Sequence, residues 1–232
     1  MRFIDKPIKK NDVPIIHCIG DSHVSVFTGI DRMPPIWSPH ERSDDKTNYF
    51  RTYRIGPTTA YQLNRKIPII EHVIKHAPVD KDNDRIVFCF GEVDIRAHLV
   101  KQSIEHNRVI DDVVIECVDR YFKTVMYFKE KGYDVMIWGP VASWSDEEPY
   151  TGGPSYGSNL ERNTATRIFN TYLENLCKDN DIKFLTIFDK MLLDDGKTNP
   201  KYLDKWLDCH IHLIQTSYPL IMDEFRRKKI IK

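Results

Sequence analysis

Two short segments at opposite ends of the chain hold the residues best suited to chemistry. Gly20-Asp21-Ser22-His23 follows an apolar run and leads into Val24, Ser25 and Val26, so Ser22 reads as a serine at the entrance of a helix. Helix N-termini turn N–H groups and partial positive charge outward, which suits a hydroxyl that attacks an acyl carbon and leaves a negative oxygen to be held. The plainer reading makes Ser22 only an N-cap. Near the C-terminus, Asp208-Cys209-His210-Ile211-His212-Leu213 gathers a carboxylate and two imidazoles before a final amphipathic stretch. A serine nucleophile needs a general base and a group that orients it. His212, or His210 as the alternative, would be the base and Asp208 the orienter; a solvent-exposed helix entry is the competing reading. Zinc on Cys209, His210 and His212 is disfavoured, because ligands so close in sequence strain tetrahedral geometry and no second cluster stands at ligand spacing. No metal and no organic cofactor is expected.

These segments need a scaffold that brings them together. Apolar runs of strand length alternate with longer amphipathic stretches, the pattern of helices packed on a parallel sheet. Residues 14–19, 85–90, 133–138 and 183–187 read as buried strands, and 49–53 as an edge strand. Apolar positions in steps of three and four predict helices over 108–131, stopped by Gly132, and over 160–179. A third is expected over 215–229, with basic residues in its last turn. The Pro-, Gly-, Ser- and Asp-rich stretches 31–48, 139–158 and 188–208 exceed mere connectors. In such folds ligands sit beyond the C-terminal strand ends, so the loops after Ile19, Phe90 and Trp138 should converge on one crevice. Neither a repeat nor a composition shift marks a boundary, and residues 1–232 read as a single domain with 1–12 as a loose tail.

Composition excludes several classes. Lys and Arg total 34 and Asp and Glu total 34, so the chain lacks the basic excess with which a general nucleic-acid binder neutralises phosphates. Clusters such as Arg51, Arg54 and Arg65 can still form a local patch. No run approaches the roughly 18 apolar residues of a membrane span, and the first residues lack a signal-peptide core. The 5 cysteines are scattered without a C-x-x-C pair, which suits reduced thiols and a cytoplasmic protein.

Taken in order, Gly20-Asp21-Ser22, Gly56 in Arg54-Ile55-Gly56-Pro57-Thr58-Thr59-Ala60, Gly91-Glu92-Val93-Asp94 after a strand, and the Asp/His cluster resemble the blocks of SGNH/GDSL hydrolases. The segment Phe88 to His98 further resembles a branch associated with polysaccharide biosynthesis. The resemblance implies a three-layer α/β/α sandwich with a central, mostly parallel sheet, the flavodoxin-like SGNH fold. It implies cleavage or transfer of acyl esters without a cofactor, with Ser22 as nucleophile and the N–H groups of Ser22 and Gly56 as oxyanion-hole donors. The terminal His and Asp would complete the triad. Two departures stand out. Val93 occupies the position where the family carries an asparagine donor, for which Arg96 or Asn159 are candidate replacements. Asp208 also precedes His210 by two positions and His212 by four, where the family has three; alignment on Ile211-His212-Leu213 favours His212.

Asp21, Glu92, Asp94, Arg96 and Trp144 are candidate substrate contacts by their place around the crevice. Arg96 offers a fork of donors to a carboxylate or to sugar hydroxyls, or else braces the loop through Glu92 or Asp94. Asp94 reads foremost as a cap of the following helix. Trp144, Tyr150 and Tyr156 flank a glycine-rich lip, a mix that suits stacking on sugar rings or simple packing. The expected substrate is an acylated carbohydrate or another small ester, processed by a serine esterase or acyltransferase. A weakened relative that binds glycans is the competing class.

Overall fold

Each short run of β-branched and aromatic residues becomes a strand of one sheet in the computed structural model, which describes residues 14–29, 48–77, 79–146, 154–203 and 212–232. The strands are β1 (Ile16–Gly20), β2 (Phe50–Arg54), β3 (Arg85–Cys89), β4 (Val135–Trp138) and β5 (Lys183–Leu185). They form one five-stranded sheet in the order β2-β1-β3-β4-β5, and every neighbouring pair is parallel. The apolar runs 86–89 and 135–138 are unbroken because both faces of the sheet are covered there, whereas the edge strand β2 carries Arg51, Thr52 and Arg54.

The two faces bury different side chains of the same strands. Ile19, Ile86, Phe88 and Ile137 pack against α1 (Ile67–His76), α4 (Ile110–Glu130) and α5 (Asn159–Asp179). Cys18, Val87, Cys89, Met136 and Trp138 point the other way, against a 3-10 helix (Ser22–Thr28) and α6 (Tyr218–Arg227). Phe27, Phe50, Trp138 and Phe225 meet there in tilted, edge-on and stacked ring contacts. The result is the expected three-layer α/β/α sandwich. Among the described residues no helix is long and apolar enough to cross a membrane.

The expected helices 108–131 and 160–179 stand within a residue or two as α4 and α5, and 215–229 splits into a 3-10 turn (Gln215–Ser217) and α6. Helix α1 goes beyond those expectations. Its signal is Pro68 in the first turn and a stripe of Ile70, Val73 and Ile74, which spans too few turns to stand out beside the longer helices. After β3 the chain runs through α2 (Glu92–Asp94), a π-helical stretch (Ile95–Leu99) and α3 (Val100–Glu105). The sheet order reverses between β1 and β3, so a crevice opens beyond their C-terminal ends. Gly20 lies at that point, and a Cβ on it would come within 2.5 Å of the Cys89 carbonyl oxygen. Only glycine lets the two strands close there, which fixes the start of the following turn beside the loop after β3.

Candidate active site

The turn after β1 is capped by Asp21, not by Ser22. Asp21 is extended, and its Oδ1 accepts the His23 N–H at 2.8 Å. With the capping task taken by its neighbour, the Ser22 hydroxyl is available for other partners. His212 Nε2 lies 2.7 Å from Ser22 Oγ. A buried Leu213 in an antiparallel bridge with Leu203 holds His212 in place. The Gln215 side-chain amide, donating to the Val26 carbonyl at 3.2 Å, ties the same segment to the 3-10 helix. Asp208, Cys209 and His210 lie outside the described residues, and with them the orienting carboxylate, the alternative base and the zinc alternative.

Burial pushes the His212 imidazole well below its ordinary value, and the positive charges of His23, Arg54 and Arg96 push it further in the same direction. Neutral imidazole is the form a general base requires, and it lets the serine hydroxyl donate to Nε2. His23 is the opposite case. It is buried, which lowers its pKa, but Glu92 and Asp21 outweigh burial and raise it. Its Nδ1 lies 3.0 Å from Asp21 Oδ1 and its Nε2 3.4 Å from Glu92 Oε2. The two imidazole rings stand 4.8 Å apart between centroids. The surroundings of the two neighbouring rings thus drive their pKa values in opposite directions.

Gly56 follows β2 with φ of +92° and open space where a Cβ would be, so its backbone conformation, not crowding, calls for glycine. The Ile55 N–H donates to the Gly20 carbonyl at 2.9 Å, carrying the strand pairing up to this turn. Asp94 holds the turn from the other side. It stands at the N-cap position of the stretch Ile95–Leu99, as expected, but its side chain makes no capping hydrogen bond there. Its carboxylate instead accepts the Ala60 N–H at 2.6 Å and the Tyr61 N–H at 3.0 Å. Two N–H groups from another loop compete better for this buried carboxylate than the end of its own short helix. Burial pushes Asp94 up to about 7, against the pull of those N–H groups and of the Cys117 thiol. Asp94 is 1% exposed, so it braces the Gly56 loop from within.

The other crevice candidates are largely committed to the protein. Arg96 Nε donates to Glu92 Oε1 at 2.8 Å and its NH1 to the Pro154 carbonyl at 2.8 Å, the bracing alternative. Asn159 is buried, with its amide spent on the Ser143 and Trp144 carbonyls and on Thr198. The half-buried Val93 offers no side-chain donor. Trp144 Nε1 donates to Ser155 Oγ at 2.9 Å, and its ring lies under the Arg162 guanidinium at 4.7 Å. Tyr156 backs onto Arg96 through its backbone N–H; Tyr150 lies outside the described residues. His17, buried on β1, sits with Nε2 3.2 Å from Asp84 Oδ2.

Two residues escaped the sequence reading. His23 was detectable only as a second imidazole one residue after Ser22. Arg54 appeared there only as part of a possible patch, yet it ends β2 opposite Gly20.

No family model matches the chain, and no curated protein matches it. Solved structures do. A proposed acylhydrolase from Bacteroides fragilis is 15% identical with a TM-score of 0.58, over 97% of this chain and 94% of that one. A GDSL-like lipase from Bacteroides thetaiotaomicron is 14% identical with a TM-score of 0.58, over 93% and 86%. A catalytic mutant of an acetylxylan esterase from Geobacillus stearothermophilus is 14% identical with a TM-score of 0.53, over 93% of each. The sheet order, the turn after β1 and the overlap with these enzymes agree: the chain has the SGNH/GDSL fold.

Proposed function

We propose that the protein is a serine esterase that removes a small acyl group, such as acetyl, from a carbohydrate. The observation that carries this reading is the 2.7 Å approach of His212 Nε2 to Ser22 Oγ, made across nearly the whole chain at the switch point of the sheet. In this reading the Ser22 hydroxyl passes its proton to His212 as its oxygen attacks the ester carbonyl. The N–H groups of Ser22 and Gly56 receive the oxyanion. The His212 imidazolium then gives its proton to the departing sugar oxygen, leaving acyl-Ser22. Water, deprotonated by His212, releases the acid. Asp208 is the proposed orienter of His212. A sugar hydroxyl in place of water gives acyl transfer from the same intermediate. The carbohydrate assignment is supported by fold neighbours described as acetylxylan esterases.

Val93 favours a second reading, a glycan-binding domain with weakened turnover. Loss of one oxyanion donor costs roughly 2.7 to 4 kcal/mol of transition-state stabilisation. Labelling with a fluorophosphonate probe near pH 8, read by intact mass on wild type and Ser22→Ala, separates the two. A single adduct on wild type that is absent from the variant is expected. No adduct on folded wild type would hand the case to glycan binding.

A further inference from the structure

One cation beside the site has no ion-pair partner among the described residues. Among the described residues the buried carboxylates here are Asp21, Glu92 and Asp94, the last taken by the Ala60 and Tyr61 N–H groups. Glu92 takes Arg96 at 2.8 Å, and His23 stands between Asp21 and Glu92. Arg54 is the remaining cation. Its guanidinium is half-buried, and its Nε is shielded from solvent without a hydrogen-bond partner. Among the described residues it has no ion pair and no acceptor. A buried donor without an acceptor is a standing cost, which a ligand can relieve.

Its position gives that cost a direction. Side chains alternate along β2, so Arg54 shares a face with Phe50, which packs into the core beneath the 3-10 helix and α6. Ser22 opens that 3-10 helix, and the His212 segment is tied to it. The Arg54 charge acts on both Asp21 and His212. Two residues further along the chain lies Gly56. A planar fork of cationic N–H donors with no ion pair among the described residues fits a permanent oxyanion far better than a neutral hydroxyl.

We propose that Arg54 selects the substrate by taking a negatively charged group, a ring carboxylate or a phosphate ester, carried by the acylated sugar. The proposal rests on the serine-esterase reading for its kinetics but not for its binding.

The test uses the full chain with O-acetylated methyl galactoside, the matching galacturonoside and the galactoside 6-phosphate. Wild type is expected to favour at least one acidic substrate by about 10- to 100-fold in kcat/KM, mostly through KM. Arg54→Gln should bring that ratio close to one, and Arg54→Lys should restore part of it. An absent preference, or one that survives Arg54→Gln, overturns the proposal. An equal fall of kcat on all three substrates also overturns it, because Arg54 would then act on the oxyanion and not on the sugar. NMR titration of the unacetylated glycosides onto Ser22→Ala, with and without Arg54→Gln, decides the question if no Ser22-dependent turnover is found. Charge-selective binding that disappears with Arg54 supports the proposal while the esterase reading fails; binding without charge selectivity sinks it.

Discussion

Two buried polar clusters lie at the C-terminal side of the sheet, and they differ in how completely their groups are satisfied. Around the start of α5, Arg162 is 1% exposed. It donates to Ser143 Oγ at 2.8 Å, to the Trp144 carbonyl at 3.1 Å, to Asp146 at 2.7 Å and to the Gly157 carbonyl. Asn159, Asn163 and Thr198 close a second ring of bonds beside it. Around Ser22, by contrast, Asp21 Oδ2, Glu92 Oε2 and Arg54 Nε are buried without hydrogen-bond partners. A saturated network fixes loops and asks nothing of a ligand. An unsaturated one leaves donors and acceptors available to a ligand, at a cost in stability.

The sharpest way to break this contrast is to remove the pair at its centre. Ser22→Ala and His212→Ala should each lower kcat on an activated ester by at least about ten-thousand-fold, with the melting temperature nearly unchanged. A loss of only a few-fold would place the chemistry elsewhere. The saturated cluster should answer in stability. Arg162→Ala strands the buried Ser143 hydroxyl and removes the bonds to Asp146 and the Gly157 carbonyl, and should cost on the order of 2 kcal/mol or more in urea unfolding. Arg54→Gln strands none, and its cost should stay within about 1 kcal/mol.

Asp94→Asn is a smaller perturbation. The amide can accept one of the two N–H groups but turns its own NH2 toward the other, for a loss of about 1–2 kcal/mol. Because the native carboxyl is raised to about 7, its contribution is complete below the unfolded value near 4 and is lost as pH rises through about 7. The wild-type advantage over Asp94→Asn should therefore shrink across that window in pH-dependent denaturation.

The smallest expected effect is a displacement of the pH profile. His212 is depressed, so kcat/KM should hold down to a pH below an ordinary imidazole near 6.5 and fall as His212 takes up a proton. Removing the Arg54 charge should move that acid limb upward, as measured with a neutral activated ester. A limb that does not move would mean that the Arg54 charge does not reach the base. The same depression makes neutral His212 a contributor to stability above about 6.5, lost as pH falls below it.

Much of the scaffold is legible in residue order. β3 reads directly from Arg85-Ile86-Val87-Phe88-Cys89, and α4 from its long apolar stripe, because burial on both sheet faces and on one helix face leaves a period in the sequence. Helix α1 is short and leaves a weaker trace. The Ser22 and His212 positions follow from a serine at a strand-to-helix turn and from a tail rich in imidazole. The division of labour around them does not. Asp21 rather than Ser22 caps the turn, Asp94 braces another loop, and Arg96 is spent on Glu92. Each of these outcomes is a competition among several acceptors and donors for one partner.

Sequence alone determined the strand and helix order, the placement of a serine beyond the first strand and the absence of an amide donor at Val93. Those properties depend on local pattern and residue type. Only the tertiary structure decided that His212 meets Ser22, that His23 is wedged between two carboxylates and that Arg54 has no ion pair among the described residues. Net charge sums to zero over the chain, but pairing in a buried crevice depends on distances between residues that only the folded sheet brings together.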